Sequence, residues 1–195
     1  MLNAIRYRRG SGRSGMEPLS PRRKWQTITL ATLLLVPAYW ALLAGLVAEA
    51  SDSTEARAGA PNTAAALALG LALIPFVFLL LAFMSGHPRA PGAVIKAMGL
   101  ALLVGIPVSA LAGDAVTGIV AAVGAGAIVA LRADQAHNWR ARALAVAVAT
   151  VYTFVLLRSA GPIALLAAPA LPLTGIGVAD HISEWRRERD SVVPD

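Results

Sequence analysis

There is no cysteine anywhere in the 195 residues. Disulfide frameworks, thiolate metal sites, lipoprotein anchors and cysteine nucleophiles are thereby excluded as a group. Charge is nearly as scarce, at 14% of residues against about 25% in an ordinary soluble domain. Recognisable catalytic motifs are missing too: the chain has no HExxH, GxSxG, P-loop or GxGxxG, and no aspartate-rich motif suited to phosphotransfer on lipids. These absences predict a protein that is not an enzyme and holds no cofactor. The abundant class is hydrophobic, at 57% with a mean hydropathy of +0.65, and the composition predicts an integral membrane protein with an all-α fold.

The apolar residues fall into runs at 25–48, 63–84, 97–112, 115–131, 143–157 and 162–178. The first two are long enough to cross a hydrocarbon core about 30 Å thick at about 1.5 Å per residue. The other four are shorter than the usual span of about 20 residues, and their grouping decides how they are read. Between Lys96 and Arg132 the only charge is Asp114, and a single straight helix over that stretch would be about 53 Å long. A hairpin turning at Gly113-Asp114 resolves the excess, and a second one turning near Arg158, Gly161 and Pro162 does the same for 143–178. The expected architecture is six transmembrane helices in three hairpins, with a disordered basic tail at 1–24 and a charged tail at 179–195. Short spans are accommodated by snorkelling Arg side chains, local thinning or burial within the bundle.

Basic residues orient this bundle. Of the 17 Lys and Arg residues, 15 lie in the N-terminal tail, the 89–96 segment, the 132–142 segment and the C-terminal tail, leaving Arg57 and Arg158 on the other side. Positive loops stay cytoplasmic, so both termini are expected inside a multi-pass cell membrane protein. Trp25, Trp139 and Trp185 fall at the same inner ends, where an indole ring suits the headgroup layer. The richness in Ala, Gly and Arg fits a high-GC bacterial genome, and hence the bacterial cytoplasmic membrane. The run 25–48 followed by Ala48-Glu49-Ala50 resembles a cleavable signal, but it is too long for a signal h-region and reads as an uncleaved first helix. The basic tail is expected to be drawn to anionic headgroups. Apart from Tyr7 it carries no interleaved aromatic residue, so nucleic acid is not an expected partner.

Within the spans, Gly105, Ser109 and Gly113 recur every fourth residue, as do Ala122, Gly126 and Ala130. Small residues at that spacing let helix backbones approach closely, and the third and fourth helices are expected to pack through these faces. Prolines interrupt the runs at Pro37, Pro75, Pro107, Pro169 and Pro172. A proline frees an upstream carbonyl, and transporters place substrate at such broken helices. Pro169, Pro172 and Thr174 are therefore the candidate transport path, with an unwound segment sought over Pro169–Gly175. No ionisable residue is expected near any midplane, which disfavours proton-coupled carriers and voltage sensors.

The ionisable side chains gather instead at the inner surface. His87, His137 and His181 follow the even-numbered spans, with Asp134, Asp180 and Glu184 around them. Asp134 and His137, at i and i+3, and Asp180 and Glu184, at i and i+4, would share helix faces. These six residues form the candidate cytoplasmic polar cluster, and Asp134, His137, Asp180 and His181 are weak candidates for metal ligation. The string Ala133-Asp134, four residues, Trp139-Arg140 returns 46 residues later as Ala179-Asp180, four residues, Trp185-Arg186. Either a duplicated hairpin or a common interfacial need would produce it. The leading expectation is an accessory, scaffold or assembly component acting through helix packing with a membrane-protein partner or a second copy. The alternative is a small permease or channel-like transporter using the sixth helix.

Overall fold

In a computed structural model of the chain, the described residues are 21–50, 60–87, 90–131, 139–161 and 164–192. They form α1 (Pro21–Ala50), α2 (Ala60–Met84), α3 (Ala90–Ala112), α4 (Ala115–Ala130), α5 (Trp139–Ala160), the single turn α6 (Ala164–Ala167) and α7 (Leu171–Val192). No strand occurs among them. The all-helical class follows from the composition, because apolar segments without water must satisfy their backbone groups internally.

Among the described residues, α3 and α5 are long and apolar enough to cross a membrane, with 23 and 22 residues. Ala68–Met84 within α2, and α4, are shorter apolar stretches. In α3 and α5 only 17% of the apolar window is buried. A core helix of a soluble protein would be mostly covered. Here Ile95, Leu102, Leu103 and Ile106 of α3 and Leu144, Val148 and Val151 of α5 face outward instead. Contiguous apolar surface on that scale is foreign to a water-soluble monomer. Both helices outrun the stretches 97–112 and 143–157 expected of them, because Lys96, Arg142 and Arg158 are themselves helical.

The shortest of the long helices, α4, is the centre of the bundle. Its 16 residues reach about 24 Å, less than the hydrocarbon thickness, but it contacts α2, α3, α5 and α7 and 11 of its residues are buried. Its flanks are therefore covered by protein. Its glycines show why its sequence is so small-featured. A Cβ at Gly118 would collide with Ser109 of α3, one at Gly124 would come within 2.6 Å of Val146 of α5, and one at Gly126 would overlap the Phe78 ring of α2. Each glycine thus admits a different neighbour.

This arrangement amends the expected small-residue faces. Gly105 and Ala122 do meet, since a Cβ on Gly105 would lie 2.6 Å from that of Ala122. Gly126, however, has turned to α2. A step of four residues overshoots a 3.6-residue turn by about 40°, so a stripe at i, i+4 and i+8 wanders off one contact. Gly113 belongs to the turn, with φ +69 and no neighbour within 4 Å of a built Cβ. There Gly113 N donates to Ser109 O at 3.0 Å. Asp114 caps α4, accepting from Thr117 N at 2.6 Å and Thr117 Oγ1 at 2.8 Å. The turn falls at the Gly113-Asp114 pair expected of it.

The end of the chain departs further from expectation. In place of one helix over 162–178, α6 stops after four residues, Ala168–Ala170 form a turn, and α7 starts at Leu171. The break lies at the upstream edge of Pro169–Gly175. Pro172 occupies the first turn of α7, where a missing N–H costs no helical bond, and Thr174 N already reaches Ala170 O at 2.9 Å. Most of the expected tail is helix, because α7 runs on to Val192. At the other end α1 begins at Pro21, inside the stretch expected as tail, and residues 1–20 lie outside the described residues.

Because Gly126 holds the Phe78 ring, Gly126→Ala should lower stability by about 1–3 kcal/mol, the usual cost of overpacking. Adding Phe78→Leu should restore part of the loss. Unfolding in detergent micelles measures both, and an additive double variant would contradict the contact.

Candidate functional site

The buried face of α5 consists of Arg142, Val146, Ala149 and Thr153. Helical spacing of four, three and four residues places all of them on one side, so Arg142 opens an inward-facing stripe. On α7 the buried residues Leu173, Ile176, Gly177 and Asp180 form a matching stripe. The two stripes end on each other's charge. Arg142 Nε donates to Asp180 Oδ1 at 2.8 Å and Arg142 Nη2 to Asp180 Oδ2 at 2.6 Å, a bidentate pair. Arg142 is 3% exposed and Asp180 2%.

The remaining nitrogen of the guanidinium makes this more than a pair. Arg142 Nη1 donates to Leu131 O at 2.8 Å. Leu131 is the C-cap of α4 in an extended conformation, with a carbonyl that the helix can no longer serve. A cation at that position also favours the negative end of the helix dipole. From α1, Lys24 Nζ approaches Asp180 Oδ2 to 3.6 Å and donates to Glu184 Oε1 at 2.5 Å. Two cations and two carboxylates therefore join α1, the end of α4, the start of α5 and the middle of α7.

Close packing supports the clasp. A Cβ on Gly177, one turn before Asp180, would come within 2.8 Å of Ile28 Cδ1 and 3.0 Å of the Trp25 ring, so α7 must carry glycine there to let α1 bring Lys24 in. Ser85 Oγ, just past α2, lies 3.3 Å from Ala130 O, which places the end of α2 beside the end of α4. A different contact marks the opposite ends of α3 and α5: Arg158 Nη2 donates to Ala112 O at 3.2 Å.

Of the six residues of the expected polar cluster, the structure brings together Asp180 and Glu184, and it joins them through Lys24. His181 is exposed beside them. His87 follows α2, its N–H donating to Ala82 O at 2.9 Å. Asp134 and His137 lie outside the described residues. Among the described residues, no group of three or more His, Asp or Glu side chains is placed to hold a metal ion. Both oxygens of Asp180 are occupied by Arg142, so this carboxylate acts as a joint between helices.

The expected path residues are dispersed. Pro169 and Pro172 are buried, and Thr174 is exposed in an outward groove between α5 and α7. Most of the described helix hydroxyls bond their own helix. Thr27, Thr150, Thr153 and Ser183 donate to the carbonyl four residues back, and Thr117 Oγ1 to Asp114. Tyr39 differs, since its buried hydroxyl has no hydrogen-bond partner among the described residues. The repeated string also separates into unlike settings: Trp139-Arg140 opens α5, while Ala179 through Arg186 lies inside α7.

Sequence reasoning missed Arg142 and Lys24, which it read as topology signals alone. The signal was nonetheless present. On a helical wheel Arg142 falls with Val146, Ala149 and Thr153, whereas Arg140 falls outside that group and is exposed.

Removing one partner of a buried pair leaves the other charge stranded, at a cost of about 3–5 kcal/mol. Asp180→Ala should therefore lose stability on that scale, and Lys24→Met, whose partner Glu184 is 37% exposed, about 1 kcal/mol or less. SDS-induced unfolding from mild micelles measures the difference, and equal small effects would contradict the clasp. Comparison with protein-family models, with curated proteins and with solved structures gives no match to this chain.

Proposed function

We propose that this chain is a multi-pass protein of the bacterial cytoplasmic membrane that works without catalysis, as an accessory, scaffold or assembly component packing against a membrane partner or a second copy. The observation that carries this reading is the pairing of a closed interior with open apolar flanks. Among the described residues most hydroxyls bond backbone of their own helix, Tyr39 being an exception, and the buried Arg142 and Asp180 are spent on one another. The outer faces of α3 and α5 are long, apolar and largely uncovered by the protein itself. Such a molecule offers helix faces for association in lipid.

The six-span, three-hairpin reading belongs to this proposal. Its support is that α1 packs on α2, α3 on α4, and α5 on α7. The starts of α1 and α5 also share one end with the ends of α2 and α4. That end carries the basic residues, so it is the cytoplasmic one. A permease is the second reading, favoured by the break at Ala168–Ala170 between α6 and α7. In that case Pro172 or Thr174 substitution should change solute flux in liposomes while the fold survives.

The absence of native cysteine makes the topology directly testable. Single variants His181→Cys and Ser159→Cys, both at exposed positions, should differ in intact cells: a membrane-impermeant maleimide labels Ser159→Cys and reaches His181→Cys only after lysis. The reverse pattern would invert the bundle. For the accessory role, the protein should co-purify in mild detergent with a larger membrane assembly or as a homo-oligomer. A lone monomer across several detergents would contradict it.

A further inference from the structure

A concavity lies on the outside of the bundle. It is a groove of about 550 Å³ between α5 and α7. Its floor is made of small residues: a Cβ on Gly175 would stand 3.4 Å from Ala145 O and 3.5 Å from Ala145 Cβ, so the helices nearly touch there. Val148, Tyr152 and Val178 stand exposed along its rims. From Leu171 to Arg186 the groove follows α7 over sixteen residues, about 23 Å at helical rise, about three quarters of the hydrocarbon thickness of about 30 Å.

The two ends of this groove differ in chemistry. Along most of its length the lining is apolar, and at the end next to the clasp it is closed by Ser183 and Arg186. Three described basic residues nearby have engagements of their own: Arg142 is bound to Asp180, Arg189 stacks over Trp185 at 3.9 Å, and Arg140 lies over Trp139 at 5.7 Å. Arg186 is exposed and makes no ion pair or hydrogen bond among the described residues. Trp139 and Trp185 are each about half exposed at this level, where amphipathic rings mark the headgroup layer.

A slot that runs from the headgroup level past the depth of one leaflet, mostly apolar, with a cation unpaired among the described residues at its end, complements one class of molecule. We propose that the α5–α7 groove binds an anionic phospholipid, an acyl chain lying over Ala145 and Gly175 and the headgroup phosphate meeting Arg186. A transmembrane helix from a partner or a second copy is the competing occupant. It would fill the apolar length but would leave the guanidinium without a counter-charge unless it also brought an acid. This proposal rests on the reading that α5 and α7 face lipid, and it assigns to that surface one ligand and one recognition residue.

Electron paramagnetic resonance with spin-labelled lipids in reconstituted vesicles tests the proposal. Spin-labelled phosphatidylglycerol is compared with spin-labelled phosphatidylcholine for the wild type, Arg186→Gln, Arg140→Gln and the groove-filling Thr174→Trp. The wild type should hold the anionic lipid about fivefold more strongly, since one arginine near a lipid surface contributes about 1 kcal/mol. Arg186→Gln should bring the preference close to one while Arg140→Gln keeps it, and Thr174→Trp should lower the number of immobilised lipids per protein. No preference in the wild type, or a preference untouched by Arg186→Gln, would overturn the proposal. So would a Thr174→Trp variant that dissociates an oligomer and leaves lipid selectivity intact. If neither lipid is immobilised by any variant, the lipid-facing reading itself fails, which separates the two outcomes.

Discussion

A guanidinium and a carboxylate that are each almost fully covered, Arg142 and Asp180, constrain everything around them. Taking two ions out of water costs several kcal/mol each, and only near-ideal geometry with every remaining donor occupied returns that cost. In Arg142 all three guanidinium nitrogens are engaged, Nε and Nη2 with Asp180 and Nη1 with the Leu131 carbonyl. Three chain segments must therefore stand in one relation to one another, and Lys24 adds α1 as a fourth. Hydrophobic packing in a membrane is weakly directional, because lipid tails are as apolar as leucine side chains. A charged joint supplies the register that apolar contact lacks.

The rest of the bundle is compatible with that joint through close backbone approach. Gly177 lets Trp25 and Ile28 come near enough for Lys24 to reach Asp180, and Gly124 admits Val146 and Pro172 together. Around α4, glycine is used on three sides because neighbours stand on three sides. The short length of α4 is compatible with the same position under the proposed membrane topology: a helix enclosed by others does not have to match the bilayer. Its C-terminal carbonyl, which a lipid-exposed helix would lift to the headgroups, is met by the Arg142 side chain instead.

Much of this was legible in the sequence, to differing depths. The helical class, the turn at Gly113-Asp114 and the packing of Gly105 on Ala122 follow from composition, length and small-residue spacing. The paired role of Asp180 and Glu184 was half visible, since their i, i+4 spacing is local, but their partners come from residues 24 and 142. Sequence distance hid that assembly, and the positive-inside reading of Arg142 masked it further, because one count of basic residues cannot tell a loop arginine from one on a buried stripe. The break before Leu171 was placed slightly late for a related reason. Pro172 looks like a helix breaker, yet in the first turn of α7 it is a helix starter, and the interruption falls at Ala168–Ala170.

The claim that one buried ion pair sets the register of the bundle is tested most directly by a double-mutant cycle on Arg142→Met and Asp180→Leu, with unfolding free energies measured in micelles. If the two residues are a unit, the double variant recovers most of what either single change loses, giving a coupling of at least about 2 kcal/mol. Additive losses, within about 0.5 kcal/mol of the sum, would show that Arg142 and Asp180 act independently and that the helices find their register by other means.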